Sequence, residues 1–255
     1  HDQPQAIIRA LVSHDERDVL VEVELNRDNP NRARINKSDS KRVRDVLGVV
    51  HTVVFAPEDL DIVKKDPSNR RAFIDELVVQ VWPRFAGVYA DYERVLKQRN
   101  SLLKSARATG TTGASLSTLD AWDASLVKYG AEIIAARLDL VKRLQPHVFS
   151  AYQAIALANN EPKIAVKSSI LAAGFMDDDD FGVEAANAAG NAGFAELPSD
   201  RAQLEELFHV KLADVRAKEL ERGLTLVGPQ RDDLVLTLGT LPVKGFASHG
   251  ESISY

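Results

Sequence analysis

The chain lacks cysteine altogether, has one methionine, and is poor in aromatic residues, at 6%. No apolar run approaches the roughly 20 residues that a bilayer-spanning helix needs, and no secretory pattern opens the chain. Without cysteine there is no disulfide framework and no thiolate metal site. A cysteine-free chain suits a reducing compartment, so the expectation is a cytoplasmic protein with no membrane partner. What is present is 45% hydrophobic and 27% charged residues over 255 positions. That is enough for one large domain or two smaller ones, with a helical and soluble lean. The net charge of -5 gives no support for nucleic-acid binding, and its distribution says more than its sum. The sequence begins with His1 and stops at Tyr255, so the expectation is an interior segment of a longer protein.

Residues 1–17 show no clear period and are expected to be mixed. Val19, Val21, Val23 and Leu25 alternate with less apolar neighbours, the period of a half-buried strand. Asn29-Pro30-Asn31 marks a turn, and Arg32–Asn36 reads as the returning strand. From Arg27 to Arg44 there are seven Lys/Arg against two Asp. This basic island is either a charge-guarded edge or a phosphate-contacting surface, with Arg32, Arg34, Lys37, Lys41 and Arg42 as candidates. Val46–Phe55 reads as a further strand, stopped by Pro57, and Glu58-Asp59 can start a short helix through Lys64.

Asp66 or Ser68 caps a long helix reaching about Ala106, kinked at Pro83. Thr109–Ser115 is a Gly/Thr-rich tip. A second long helix starts at Ser117, with Leu119, Trp122, Leu126, Tyr129, Ile133, Ala136 and Leu140 stepping by three and four. Two such helices make an antiparallel arm, ending near Pro146 or running on to Ala158; a plain hairpin inside a globular core is the alternative. The outgoing helix carries Arg94, Lys97, Arg99, Lys104 and Arg107, of which Arg99 and Lys104 are further DNA-contact candidates. Ile164, Val166, Ser168 and Ile170 alternate as in a strand. Residues 174–198 are poorly patterned, and Asp177–Asp180 reads as a solvated charge run rather than a cation site. Asp200 and Gln203 open another helix, which Gly223 closes. Leu224–Val227 reads as a strand leading to Gly228-Pro229-Gln230-Arg231-Asp232-Asp233. A hairpin from Leu234 turns at Gly239-Thr240 and ends in Lys244-Gly245-Phe246-Ala247-Ser248-His249-Gly250-Glu251. A serine hydroxyl and free N–H groups at a helix start suit phosphate oxygens.

Three stretches, in order, carry a resemblance. Phe55–Leu60 with Pro67-x-x-Arg70-Arg71-x-Phe73-Ile74-Asp75 resembles the central motif of the RecF DNA replication and repair family. Gly228–Leu234 is similar to that family's Gly-Pro-His-Arg-Asp-Asp motif, with Gln230 in place of histidine. Lys244–Glu251 looks like its ATP-binding-cassette signature. The resemblance covers nearly the whole chain, least well at 160–200. It implies an α+β fold: part of an ABC-type ATPase head with an inserted antiparallel helical arm. The implied division is head at 1–69, arm at 70–160, a variable segment with a returning helix at 161–222, and head again at 223–255.

The same resemblance implies a protein that binds ATP with Mg²⁺, binds single-stranded DNA and single-strand/double-strand junctions, and dimerises on ATP. It would act with RecO and RecR in recombinational gap repair, within the response to DNA damage. Ser248, His249, Gly250 and Glu251 would then meet the ATP of the partner subunit in trans. Arg70, Arg71, Arg231, Asp232 and Asp233 would brace the head or touch the partner. No Gly-x-x-x-x-Gly-Lys-[Ser/Thr] occurs in the sequence, and the family's Walker B strand is expected beyond the signature helix. No complete nucleotide site and no catalytic residue are therefore expected within these residues, and this piece alone is not expected to hydrolyse ATP. Two other readings stay open: a non-catalytic helical-hairpin interaction module, and another SMC/Rad50-like ATPase, whose arm would be longer.

Overall fold

The computed structural model describes residues 3–14, 17–39, 41–50, 60–110, 117–156, 160–171, 198 and 200–246. They fall into two compact units, 1–54 with 79–86, and 55–78 with 87–255.

In the first unit, β1 (Gln5–His14) and β2 (Arg17–Asn26) form a long antiparallel hairpin, in register from Gln5↔Asn26 to His14↔Arg17. β3 (Arg32–Ile35) and β4 (Lys41–Arg42) extend the sheet in the order β1-β2-β3-β4. The alternation at Val19–Leu25 is that of β2, and the basic return is β3. β1 was not expected. Its adjacent Ile7 and Ile8 are both more than half exposed, as is Leu11, so neither face of the strand is buried enough to impose a period. The strand expected from Val46 does not begin there: Val43–Val46 is a 3₁₀ turn whose Val46 is buried against the β3 side of the sheet. Gly48 follows at φ +81, where a Cβ would meet Pro83 Cγ at 2.5 Å, so the backbone turns instead of extending. Residues 51–59 lie outside the described residues.

The second unit is mostly helical: α1 (Asp61–Lys64), α2 (Pro67–Val81), α3 (Phe85–Thr109), α4 (Ser117–Ile155) and α5 (Arg201–Arg222). The expected single helix from residue 66 to 106 is two helices. Pro83 has no N–H to donate and ends the first; Phe85 N–H then bonds Trp82 C=O at 2.9 Å to start the second. α4 runs through Pro146 to Ile155.

The heptad seam is buried as its spacing predicts. Leu119 and Leu126 are fully enclosed, Ile133, Ala136 and Leu140 nearly so, and Trp122 and Tyr129 are half-buried. Leu126 and Ile133 share one core cluster with Tyr92 and Val95 of α3 and with Leu204, Phe208 and Leu212 of α5, so the arm region is three helices thick. At roughly 1.5–3 kcal/mol for each enclosed large side chain, this seam is the main apolar contribution to the unit. Gly130 makes the close approach possible, since a Cβ there would sit 2.5 Å from Phe208 Cε1. Asp200 caps α5 by accepting from Gln203 N–H at 3.2 Å, and Gly223 ends it at φ +71, as the sequence indicated.

A second antiparallel sheet, in the order β5-β6-β7, is built from β5 (Pro162–Lys167), β6 (Asp233–Leu238) and β7 (Leu241–Pro242). Gln145 of α4 covers the outer edge of β5, donating to Pro162 C=O at 2.8 Å and accepting from Ile164 N–H at 2.9 Å. Residues 224–227 are not the expected strand. Side chains take the place of a strand partner: Thr225 N–H bonds Asn100 Oδ1 at 2.7 Å and Leu226 N–H bonds Glu219 Oε1 at 2.8 Å. Among the described residues no helix is long and apolar enough to cross a membrane.

Candidate functional site

The Gly228–Asp233 segment turns where five stretches of the second unit converge. Gly228 adopts φ +124, and a Cβ would lie 2.6 Å from Tyr92 Oη and 2.9 Å from Phe208 Cζ, so only glycine fits. Pro229 opens a 3₁₀ turn closed by Arg231 N–H on Gly228 C=O at 2.8 Å. Gln230 stands in contact with Tyr92, whose hydroxyl donates to Oε1, while its Nε2 donates to Val227 C=O at 3.0 Å. The turn is thereby held from the α3 side.

Two arginines from α2 hold the next residues. Arg70 makes a bidentate pair with Asp233, Nε–Oδ1 at 2.7 Å and Nη2–Oδ2 at 2.9 Å. Its Nη1 also donates to Ile62 C=O at 3.2 Å and Lys65 C=O at 2.9 Å, at the end of α1 where carbonyls lack helical partners. Arg71 donates to the backbone carbonyl of Asp232 at 2.9 Å. Burial pulls the Arg71 pKa down, and the nearby Arg137 charge adds to this against the two aspartates.

Behind them lies Arg137 of α4, almost wholly buried. It is bidentate to Asp75 at 2.8 Å on both arms, and its Nη1 donates to Pro229 C=O at 2.8 Å. Tyr89 donates to the same Asp75 at 2.6 Å; burial, then the Asp75 charge, pushes its pKa up. The Asp232 carboxylate is 1% exposed. Its Oδ1 accepts from Ser168 Oγ, Ser169 Oγ and Ser169 N–H at 2.8–3.0 Å, whereas Oδ2 has no hydrogen bond and sits 3.7 Å from Arg137 Nη1. Burial raises the Asp232 pKa, opposed first by Arg137 and then by the Ser169 and Ser168 donors. Lys167, opposite Asp233 across the β5–β6 pair, is pulled down by burial and held up by Asp233. The result is a corner where three guanidinium groups meet three carboxylates, with Lys167 beside Asp233.

A second polar cluster lies inside the helices. Arg99 is fully enclosed, with Nε to Asp123 at 2.6 Å, Nη2 to Glu219 at 2.6 Å and Nη1 to Thr225 Oγ1 at 2.8 Å. Burial works against its charge, but Glu219 and then Asp123 outweigh it and the pKa rises. Glu219 is raised by burial in spite of Arg99. Arg99 was a candidate for DNA contact, and the structure corrects this: each of its three nitrogens is taken up internally and none faces solvent.

The other predicted residues are placed as follows. Arg32, Arg34, Lys37, Lys41, Arg42 and Lys104 are exposed. Arg42 pairs with Asp45, at 3.1 Å from Nε to Oδ2. Arg231 is half-buried in the Gly228–Asp233 turn. Ser248, His249, Gly250 and Glu251 lie outside the described residues, as do Asp177–Asp180 and the 111–116 part of the tip. The β6–β7 hairpin runs toward that signature through α6 (Val243–Phe246), where Gly245 turns at φ +86. Lys244 Nζ donates to Lys65 C=O at 3.3 Å, the carbonyl that Arg70 also holds. Among the described residues no group of His, Cys, Asp or Glu is arranged to hold a metal.

Sequence reasoning named Asp75 as a motif residue without a role, and missed Arg137, Ser168 and Ser169 at the corner and Asp123 and Glu219 inside the helices. A signal existed for the helical ones. Arg99 follows Tyr92 and Val95 and precedes Leu103 at apolar-stripe spacing; Glu219 continues Leu212 and Val215; Arg137 stands between Ile133 and Leu140. A charge on the buried stripe of a helix needs a partner inside.

No family model matches the chain. Among curated proteins, it is 50% identical over 254 residues to the DNA replication and repair protein RecF of Streptomyces avermitilis. It is 46% identical over 254 residues to that of Paenarthrobacter aurescens. Each match covers 98% of this chain, which spans 62% of the length of each relative. Among solved structures, the recombination mediator protein RecF-ATPrS in the RecFOR pathway superposes with a TM-score of 0.81 at 22% identity, over 100% of this chain and 61% of that one. RecF-ATP in the RecFOR pathway gives 0.79 at 24% identity, over 99% of this chain and 61% of that one. At these identities the superpositions establish the fold alone: the chain shares the mixed helix-and-sheet fold of these RecF structures, with antiparallel sheets and long helices.

Proposed function

Because the chain belongs to the RecF family, we propose that it forms the arm and the signature-bearing side of the head in an ATP-gated DNA-binding protein of recombinational gap repair. The whole protein binds single-stranded DNA and single-strand/double-strand junctions, dimerises on ATP with Mg²⁺, and works with RecO and RecR. Hydrolysis of ATP belongs to the whole protein and its Walker motifs. The observation that carries this reading is the Arg70–Asp233 bidentate pair, which ties together two of the three family motifs across 163 residues of sequence. Motifs that meet in space and share their charges form one device.

The device is a brace. It fixes the start of β6, and through the hairpin it fixes the exit at Lys244, four residues before Ser248. Ser248 Oγ and the Gly250 N–H then reach the γ-phosphate of an ATP bound by the partner subunit, where donors aimed at a phosphate oxygen are strongest out of water. His249 then meets the ribose or phosphate edge of that nucleotide, and Glu251 is the last of the four residues that face it.

The test is ATP-dependent dimerisation of the full-length protein, followed by light scattering with and without ATP, for the wild type and Ser248→Arg. The wild type is expected to dimerise on ATP, and the variant to bind ATP yet stay monomeric. Equal behaviour of the two would sink the signature reading and favour a plain helical interaction module.

A further inference from the structure

We propose that the DNA phosphate backbone lies on the distal face of α3, along Lys97, Lys104 and Arg107, and not on the basic β-hairpin. This deepens the proposed function and rests on it. The two basic surfaces looked equivalent in sequence, and the structure separates them by what stands next to each charge.

On the hairpin, the strand register sets Arg34 directly opposite Glu22 and Arg32 directly opposite Glu24. Arg9 reaches the same Glu22 from β1 at 2.7 Å, and Arg42 is bound to Asp45. Cross-strand carboxylates at this distance offset the field of the arginines. A phosphate approaching this face meets carboxylates interleaved with the guanidinium groups.

On α3 the surroundings are different. From Arg94 to Leu119 the sequence has no Asp or Glu. Asp91 and Glu93 come before this stretch, and Arg94 is already paired with Asp91. Lys97, Lys104 and Arg107 are exposed, with Gln98, Ser101, Ser105 and Ala108 on the same outward side. Those small and amide-bearing neighbours let a backbone approach closely and offer neutral donors beside the cations. Arg99, the remaining cation of this helix, is turned inward and neutralised, so it does not compete.

At 1.5 Å per residue, Lys97 to Arg107 spans about 15 Å, the length of about four phosphates on one duplex strand. The end of α5 adds to the same place. Arg107 donates to Arg222 C=O at 3.2 Å, and Gly223 has no side chain, so α5 ends close against Lys104, whose Cα would lie 3.4 Å from a Cβ there. Arg222 and Lys218 thereby border the stripe; of the two acids in that turn Glu221 is exposed and Glu219 is buried against Arg99.

The experiment uses the full-length protein with ATP and three labelled probes: a single strand, a duplex and a junction. Affinity is measured over a range of salt for the wild type, Lys97→Gln/Lys104→Gln and Arg32→Gln/Arg34→Gln. Both α3 lysines are exposed, so their loss should leave thermal stability and ATP-dependent dimerisation unchanged. Counterion release predicts that losing two phosphate contacts lowers the salt slope by about 1.5 and weakens binding roughly 20- to 60-fold at 0.1 M salt. The hairpin pair should change both by far less. The probe most affected says whether the stripe follows one strand or a duplex. A wild-type slope and affinity in the α3 variant, or a larger loss in the hairpin variant, overturns the assignment. A wild type that binds none of the probes would instead overturn the proposed function, so the two failures are distinguishable.

Discussion

Two buried arginines of the second unit show two ways of keeping a cation out of water. Arg99 is closed off: its own side chain and that of Glu219 are fully enclosed, and Asp123 is 10% exposed. Three chain segments meet there, and every partner is a side chain of the same helical bundle or of the extended segment beside it. Arg137 sits on the rim. Its main partner Asp75 is 26% exposed, and its second carboxylate, Asp232, leaves one oxygen without a hydrogen bond. The first cluster locks three helices together. The second joins α2, α4, the end of β5 and the Gly228–Asp233 turn, and it lies on the path to the signature.

The difference can be broken open by mutation. Arg99→Met leaves Glu219 buried without its cation and Asp123 with only Arg216 at 3.6 Å, and is expected to cost about 3–5 kcal/mol, read from urea unfolding of the full-length protein. Replacing Asp123 and Glu219 by leucine in the same chain should recover part of that loss, since the unpaired charges go with them. Arg137→Met should cost less, about 2–3 kcal/mol, because water can reach Asp75. Gly228→Ala forces a side chain into φ +124 and into Tyr92, with an expected loss of about 2 kcal/mol in the same measurement.

The smallest effect concerns pH. Burial holds the Asp232 pKa above its unfolded value of about 3.9, so its favourable share of stability is complete below that pH and is lost as pH rises through the folded value. Asp232→Asn should flatten the fall in stability that sets in above about pH 4. An unchanged curve would mean that Arg137 and the serines hold Asp232 ionised throughout.

Local signals with one physical cause were readable from sequence. Asp200 and Gly223 bound α5 because a cap oxygen and a left-handed glycine act within a few residues, and the α4 seam was readable because a single face is buried. Long-range compensation was hidden. Residues 224–227 are strand-like, yet Asn100, 125 positions away, takes the Thr225 N–H, and Glu219, seven positions back, takes that of Leu226. β1 was missed because its isoleucines stay exposed. At the site, Arg70, Asp75, Asp232 and Asp233 were visible as motif residues, but Arg137, Ser168 and Ser169, which hold Asp75 and Asp232, come from other segments, and only folding brings them together.

The most direct test compares Arg70→Lys with Arg99→Lys in the full-length protein, measuring ATP-dependent dimerisation alongside thermal unfolding and ATP affinity. Lysine keeps the charge in both cases but cannot make the bidentate contact. If the corner braces the signature, Arg70→Lys weakens the ATP-dependent dimer while ATP affinity holds, and Arg99→Lys lowers the unfolding temperature with dimerisation intact in the folded protein. If instead both variants only lose stability, or Arg99→Lys is the one that loses dimerisation, the corner has no special link to the partner's nucleotide.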